Sequence, residues 1–234
     1  MTPRSPEREH EEMTYSPRTL RAIGWLTIVS ALVGTALALV IIAWPHQVAT
    51  SRWSFPFDAS AYTAFQVSFF VHDVTLVPGL VAVASLAWAA SSRAARIGLV
   101  LTVAAMVAGA AIELAAVGAA HASTTSSAAA LLGTAYGLMT LGFGVGFILA
   151  GLAFLRTPLV PGTVARWTYL LIGLWTLFPM LPSLFLPLVW GRITIGTWFL
   201  LFAGVGVVLL RAARSGTSTT AHTEIAPVDP VRTP

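Results

Sequence analysis

Six long apolar stretches determine the fold class of this chain. A helix needs about 20 mostly apolar residues to cross the roughly 30 Å hydrocarbon core of a bilayer. The stretches that meet this requirement are residues 21–43, 60–90, 95–118, 128–155, 166–188 and 192–211. Their apolar character is continuous, whereas the shorter strands of a membrane barrel alternate, so the pattern indicates helices. The sequence predicts an all-α polytopic membrane protein with a bundle of six transmembrane helices.

The composition agrees with a membrane protein. Hydrophobic residues make up 56% of the chain and charged residues only 9%, against about 25% charged in ordinary soluble domains. Cysteine is absent, which excludes a disulfide scaffold, thiol catalysis and an iron–sulfur cluster. The polar ends, residues 1–19 and 212–234, are predicted to be disordered cytoplasmic tails around a transmembrane domain of residues 20–211.

The arginines are distributed unevenly between the two ends of the predicted spans. With a cytoplasmic N-terminus, eleven arginines fall in inner segments and two, Arg52 and Arg192, fall in outer loops. The positive-inside rule therefore predicts a multi-pass protein of the plasma membrane with both termini in the cytoplasm. A cleaved signal peptide is the alternative for the first span, but its apolar stretch exceeds the 7 to 15 residues typical of a signal sequence. The basic residues stand singly or in pairs, so no nucleic-acid partner is expected.

Three ionisable side chains, His72, Asp73 and Glu113, lie inside the predicted spans. Such groups cost about 2.5–3.5 kcal/mol at the centre of a bilayer and mark functional sites. Asp73 and Glu113 each lie 20 residues from Arg93 in the turn between spans two and three. The two carboxyl groups are therefore predicted at similar depth and are the candidate catalytic residues.

Span two has a polar face. Tyr62, Gln66 and Phe69 share the face of Asp73, and we interpret them as ligand-binding candidates. His72 is a further candidate, although it points about 100° away from Asp73 and need not join the carboxyl groups. No second His or carboxylate stands at a metal-ligand spacing, and no phosphate loop is present, so no metal and no cofactor are expected.

Two hypotheses explain the buried acids. In the first, Asp73 and Glu113 face a pocket and handle a proton. In the second, each carboxyl group only holds the bundle together by hydrogen bonding to span four, through Thr134, Tyr136 or Thr140. Gly109 lies one turn before Glu113 and would let another helix approach closely, which would bury the Glu113 side chain.

Span five contains prolines that predict a kink in its outer third. Pro179, Pro182 and Pro187 each remove a helical hydrogen bond. Arg192, just beyond, could bind the freed carbonyl groups, reach the two acids, or extend to the membrane surface. Trp198 continues the same face of span six, so a pocket would open outward among spans two, three, five and six.

Two further segments have alternative interpretations. The outer loop 44–59 is rich in aromatic residues and could lie on the membrane surface or fold over the bundle as a cap. In span four, the spacing of Gly133 and Gly137 permits close packing within the chain or between copies in a homo-oligomer. The other partners expected are the lipid bilayer and a hydrophobic small molecule.

Several short segments occur in a characteristic order: Ser54–Phe57, His72–Asp73, Ile112–Leu114, Phe178–Met180 and Gly191–Arg192. Over roughly residues 20–211 this order resembles small multi-pass membrane proteins of GC-rich bacteria that lack an assigned activity. The resemblance implies a membrane bundle and brings no functional residues with it.

Three functions are consistent with these features. The first is an integral membrane protein with an outward-opening intramembrane pocket. The second is an intramembrane enzyme that uses carboxylic acid catalysis on a lipid-like or isoprenoid substrate, and the third is a proton-linked small-molecule transporter.

Overall fold

A computed structural model describes residues 15–183 and 186–222, with side chains described as far as residue 215. This part of the chain is largely helical and contains no strand. Six of its helices are long and apolar enough to cross a bilayer. The predicted all-α six-helix membrane fold is therefore confirmed.

The helices follow one another with short connections. Their bounds are α1 Pro17–Val40, α2 Ala59–Ala87, α3 Arg93–Val117, α4 Ser127–Arg156, α5 Thr163–Trp175 and α6 Leu188–His222. A 3-10 turn, Ile41–Ala43, extends α1. Beyond α5 the chain continues as a π-helix, Thr176–Met180, and a short helical turn, Leu181–Ser183. Pro179 lies inside the π-helix, at the kink that the prolines predict.

Side-chain caps begin the first four helices. The capping side chain accepts a hydrogen bond from the backbone N–H three residues later, which satisfies a donor that the helix leaves free. The caps are Ser16, Asp58, Ser92 and Ser126. At Asp58, hydrogen bonds from the Ala61 N–H and the Ser60 hydroxyl lower the pKa of the exposed carboxyl group.

The six helices form a closed ring. Each packs against its neighbours in the chain, α5 and its π-helical extension pack against α6, and α6 packs along α1. We call the end that carries residues 44–58 the cap end, and the end where α1 begins the tail end. Because the helices alternate in direction, the cap half holds the starts of α2, α4 and α6 with the ends of α1, α3 and α5.

Close helix contacts fill the tail half. A Cβ atom added to Gly98 of α3 would lie 2.6 Å from the carbonyl oxygen of Gly146 on α4. On the opposite side, a Cβ atom at Gly206 of α6 would lie 2.5 Å from the carbonyl oxygen of Gly24 on α1. Small residues let membrane helices approach this closely. In the tail half these contacts bring α3 close to α4 and α6 close to α1.

Residues 44–58, the cap segment, fold over the bundle instead of lying out on the membrane surface. Phe57 is buried and stacks on Phe65 of α2, with 4.3 Å between ring centroids. Backbone hydrogen bonds of 3.0 Å from Trp53 to Ala122 and of 2.9 Å from Thr124 to Ser51 bind the segment to the α3–α4 connection. Of the two expected positions for this loop, the structure has the cap.

The predicted boundaries shift at both ends of the bundle. Helix α1 begins at Pro17, inside the predicted N-terminal tail of residues 1–19. The last helix continues to His222, past residue 211 where the sequence predicted a disordered tail to begin. Ala212 and Ala213 extend it because alanine favours helix, and Ala213 is fully buried. The predicted tails at residues 1–14 and 223–234 lie outside the described residues.

Candidate functional site

A cavity of about 720 Å³ lies in the cap half of the bundle. Its apolar wall is made of aromatic and methionine side chains: Trp53, Phe55, Phe57, Phe65, Phe69, Met106, Met139, Phe143, Met180, Trp198 and Phe199. Its polar side chains are Tyr62, Gln66, Asp73, Glu113, Thr134, Tyr136, Thr140 and Arg192. The cavity thus contains every candidate residue chosen from the sequence except His72.

A hydrogen-bond chain runs from the cap segment to Tyr136. The Trp53 Nε1–H donates to the Tyr62 hydroxyl over 2.8 Å. Gln66 Nε2 lies 3.2 Å from the Tyr62 hydroxyl and 3.4 Å from the Tyr136 hydroxyl, and donates to both oxygens. Tyr136 lines the cavity together with Glu113. The chain therefore links the cap segment to α4 through side chains of α2.

Arg192 faces the cavity from the start of α6. It interacts electrostatically with Glu113, Tyr136 and Tyr62, but it makes no ion pair or hydrogen bond to a described residue. Its guanidinium group neither takes up the carbonyl groups freed by the α5 kink nor extends to the membrane surface. Of the three expected roles for this arginine, the structure places it near Glu113.

His72 pairs with Asp73. Its Nδ1 atom lies 3.0 Å from Asp73 Oδ1, and the two residues are 3% and 8% exposed. The expectation that His72 need not join the carboxyl groups is therefore wrong. The reason lies on α1, where Gly34 leaves room for the imidazole ring, since a Cβ atom at Gly34 would overlap it. The His72 Nε2 atom is buried and has no partner among the described residues.

The two acids differ in depth by about one helical turn. A Cβ atom added to Gly109 would lie 3.5 Å from Asp73 Oδ2, so Asp73 is level with Gly109. Glu113 lies four residues further, about 6 Å nearer the cap end. The two acids thus lie within about one turn of each other, and the offset arises because α2 ends at Ala87 and α3 begins at Arg93, so the turn is centred before Arg93.

Gly133 and Gly137 occupy an open position. Both line the cavity, and no atom lies within 4 Å of the Cβ position of either. The expectation that they pack closely within the chain is therefore wrong. On α4, helix packing uses glycines nearer the tail end, including Gly146 and Gly151.

The distorted end of α5 positions Trp198. The Trp198 Nε1–H donates to the Thr176 hydroxyl over 2.8 Å, at the first residue of the π-helix. Trp175 Nε1–H donates to the carbonyl oxygen of Thr194 over 3.0 Å. These bonds hold α6 against the kink and keep the Trp198 ring in the cavity wall.

Several cavity residues were missed by sequence reasoning. Tyr136 was expected only as a structural partner, and Met139 and Met180 were not expected at the site. A tyrosine within an apolar span was a signal that could have been used. Methionines, by contrast, are ordinary residues of an apolar span and do not by themselves indicate a site. No cluster of three or more His, Asp or Glu side chains suited to a metal ion occurs in the described part of the chain.

Comparison with known proteins adds no assignment. No family model, curated protein or solved structure matches this chain.

Proposed function

We propose that this integral membrane protein binds an amphipathic small molecule in the cavity of its cap half. The observation that carries the proposal is a cavity with an apolar wall and convergent polar groups, which is the usual character of a small-molecule site. Its volume of about 720 Å³ lies within the range of such sites. Methionine side chains in the wall are flexible and adapt to varied apolar ligands.

The packing favours binding over passage through the bundle. Glycine-mediated contacts bring α3 against α4 and α6 against α1 in the tail half, and the cap segment covers the other end with Trp53, Phe55 and Phe57. A ligand held between them would be shielded from water while its polar group met Glu113, Arg192 or Asp73. The proton-linked transporter, by contrast, needs a second conformation that opens the tail half.

An intramembrane enzyme is the second candidate function. It is favoured by the position of Asp73 and Glu113, which line the same cavity. A carboxylic acid held away from water can protonate a lipid-like or isoprenoid substrate. Such an enzyme would turn over added substrate and lose activity in Asp73→Asn or Glu113→Gln, whereas a binding protein would return its ligand unchanged.

We also propose a membrane location, an orientation and an oligomeric state for this protein. The arginine distribution supports a plasma-membrane location with both termini in the cytoplasm. The small-residue spacing of Gly133 and Gly137 would also permit packing against a second copy of the chain. Native mass spectrometry of the purified protein measures that assembly directly.

The ligand-binding proposal is tested by filling the cavity. Gly137→Trp places a large ring in the cavity from an uncrowded position, whereas Leu138→Trp, on the same helix and 66% exposed, points away from it. Both variants and the wild type are purified, and bound molecules are extracted and identified by mass spectrometry. Thermal shifts are then measured with a panel of cationic, anionic and uncharged amphiphiles.

We expect the wild type and Leu138→Trp to retain the same bound molecules and the same shifts, and Gly137→Trp to lose them. Identical behaviour of all three proteins, with correct folding shown by size-exclusion chromatography, would refute a ligand site in this cavity.

A further inference from the structure

Building on the proposed cavity, we infer that its ligand is an organic cation, and that binding of this cation displaces one proton from the His72–Asp73 pair. The inference rests on the environment of Asp73. One carboxylate oxygen is 3.0 Å from His72 Nδ1, while the other lies beside Gly109 at the cavity wall. Asp73 therefore offers a free oxygen to a molecule in the cavity.

The other charged groups leave Asp73 available. Arg192 interacts with Glu113 and with the hydroxyl groups of Tyr62 and Tyr136, whereas Asp73 pairs with His72. Arg192 precedes Trp198 by six residues on α6, which corresponds to about 9 Å along the helix axis. Arg192 therefore lies nearer the cap end than Trp198.

Each helix around Asp73 adds little further charge. On its own helix the titratable neighbour is His72, and α3 contributes Glu113, one turn away. Helix α1 contributes Gly34 next to the imidazole ring, and α4 contributes Tyr136. A carboxylate with this surrounding attracts a positive group in the cavity and repels a negative one.

Aromatic rings surround the same position. Phe69 and Phe199 stack with 5.9 Å between centroids, and Trp198 lies 5.0 Å from Phe199. The Phe199 ring also meets the His72 ring edge to face at 4.4 Å. All three aromatic side chains line the cavity. Aromatic faces next to a carboxylate are the surroundings in which proteins recognise quaternary and alkylated cations.

The proton balance follows from burial. An uncompensated charge is strongly unfavourable in a low-dielectric interior, so the pair is most stable when its net charge is zero. The pair reaches zero by holding two exchangeable protons, as imidazolium with carboxylate or as imidazole with carboxylic acid. When the cation binds, it pairs with the Asp73 carboxylate, one proton leaves to solvent, and the site remains neutral. Affinity for the cation therefore rises with pH.

A pair of probe ions with the same shape and opposite charge tests the inference. Tetraphenylphosphonium and tetraphenylborate are titrated into the wild-type protein by isothermal calorimetry at several pH values. Repeating the titration in buffers of different ionisation enthalpy counts the protons released. We expect the phosphonium ion to bind at least about tenfold more tightly, which corresponds to about 1.4 kcal/mol. About one proton is released per cation bound, and affinity increases up to about tenfold per pH unit.

Two variants assign the effect to the pair. Asp73→Asn is expected to lower phosphonium affinity at least about tenfold and to abolish proton release. Asp58→Asn makes the same chemical change at a carboxyl group outside the cavity and is expected to change neither. If Asp73→Asn does not fold, His72→Gln replaces it: a lone Asp73 is neutral only when it is protonated, so this variant is expected to keep the preference for the cation and still to release about one proton, and loss of the preference would overturn the assignment to Asp73.

The outcomes separate the two proposals. Equal affinity for the two probe ions, or phosphonium binding without proton release in the wild type, overturns the present inference even if uncharged amphiphiles bind. If no ion and no amphiphile binds, the proposed cavity function itself fails.

Discussion

The His72 Nδ1 atom lies 3.0 Å from Asp73 Oδ1, although consecutive side chains leave a helix about 100° apart. The contact depends on the neighbouring helix. Gly34 of α1 provides the space that the imidazole ring occupies, and Phe199 of α6 packs edge to face against that ring. The geometry of the pair is thus determined by three helices, while its two residues are adjacent in the sequence.

A methyl group at Gly34 is expected to break this arrangement. In Gly34→Ala the new Cβ atom overlaps the His72 ring, which Phe69 and Phe199 prevent from moving aside. Overpacking of this kind costs about 1–3 kcal/mol. We expect a lower unfolding midpoint for the detergent-solubilised protein, measured by thermal denaturation with circular dichroism.

Gly133→Ala is the matched control. No atom lies within 4 Å of the Cβ position of Gly133, so the substitution only raises helix propensity, by up to about 1 kcal/mol. Its midpoint should equal or exceed that of the wild type. If Gly34→Ala were as stable as Gly133→Ala, the imidazole ring could not lie against α1 as the structure places it.

The fold could be predicted from the sequence because a bilayer imposes a length on each helix. The continuous apolar stretches correspond to the helices of the bundle, and Ser or Asp caps precede the first four of them. The spacing of Tyr62, Gln66, Phe69 and Asp73 also indicated one helix face, and these side chains line one cavity. Local periodicity carries this kind of information.

The parts that could not be predicted depend on contacts between distant segments. The spacing of residues along α2 does not reveal that the His72 ring occupies the space left by the missing side chain of Gly34 on α1. The four-residue spacing of Gly133 and Gly137 resembles that of glycines that do pack, but the cavity lies beside them. The course of the cap segment depends on hydrogen bonds to the α3–α4 connection. Such features require the relative position of helices, which sequence pattern alone does not supply.

Removal of the Tyr169 hydroxyl is expected to stabilise the protein. Tyr169 is fully buried in the tail half, and its hydroxyl has no hydrogen-bond partner among the described residues. An unsatisfied buried hydroxyl costs about 1–3 kcal/mol, so Tyr169→Phe should raise the unfolding midpoint. Tyr62→Phe provides the contrast, because the Tyr62 hydroxyl accepts hydrogen bonds from Trp53 and Gln66 and its loss should lower the midpoint. The opposite order of the two midpoints would contradict the assigned partners.

The cap of α2 should make stability depend on pH in the acidic range. Hydrogen bonds from Ala61 and Ser60 lower the pKa of Asp58 below its ordinary value of 3.8. Because the folded pKa is the lower one, the stabilisation is present above pH 3.8 and is lost as the pH falls through the folded value. We expect the wild type to unfold at a higher temperature than Asp58→Ala at neutral pH, and this difference to shrink below pH 3.8.

Asp58→Asn serves as the control for the charge, since asparagine caps a helix without titrating in this range. Thermal denaturation at a series of pH values measures all three proteins. A difference between wild type and Asp58→Ala that stays constant as the pH falls would show that the carboxylate does not cap α2.

The absence of cysteine allows the orientation of the bundle to be measured with single reporters. Ala90 lies in the α2–α3 connection at the tail end, and Thr125 lies in the α3–α4 connection at the cap end, both exposed. The arginine distribution places the first in the cytoplasm and the second outside. A membrane-impermeant maleimide should therefore label Thr125→Cys in intact cells, and Ala90→Cys only after permeabilisation. The reverse pattern would turn the cavity toward the cytoplasm, and any ligand would then have to reach it from inside the cell.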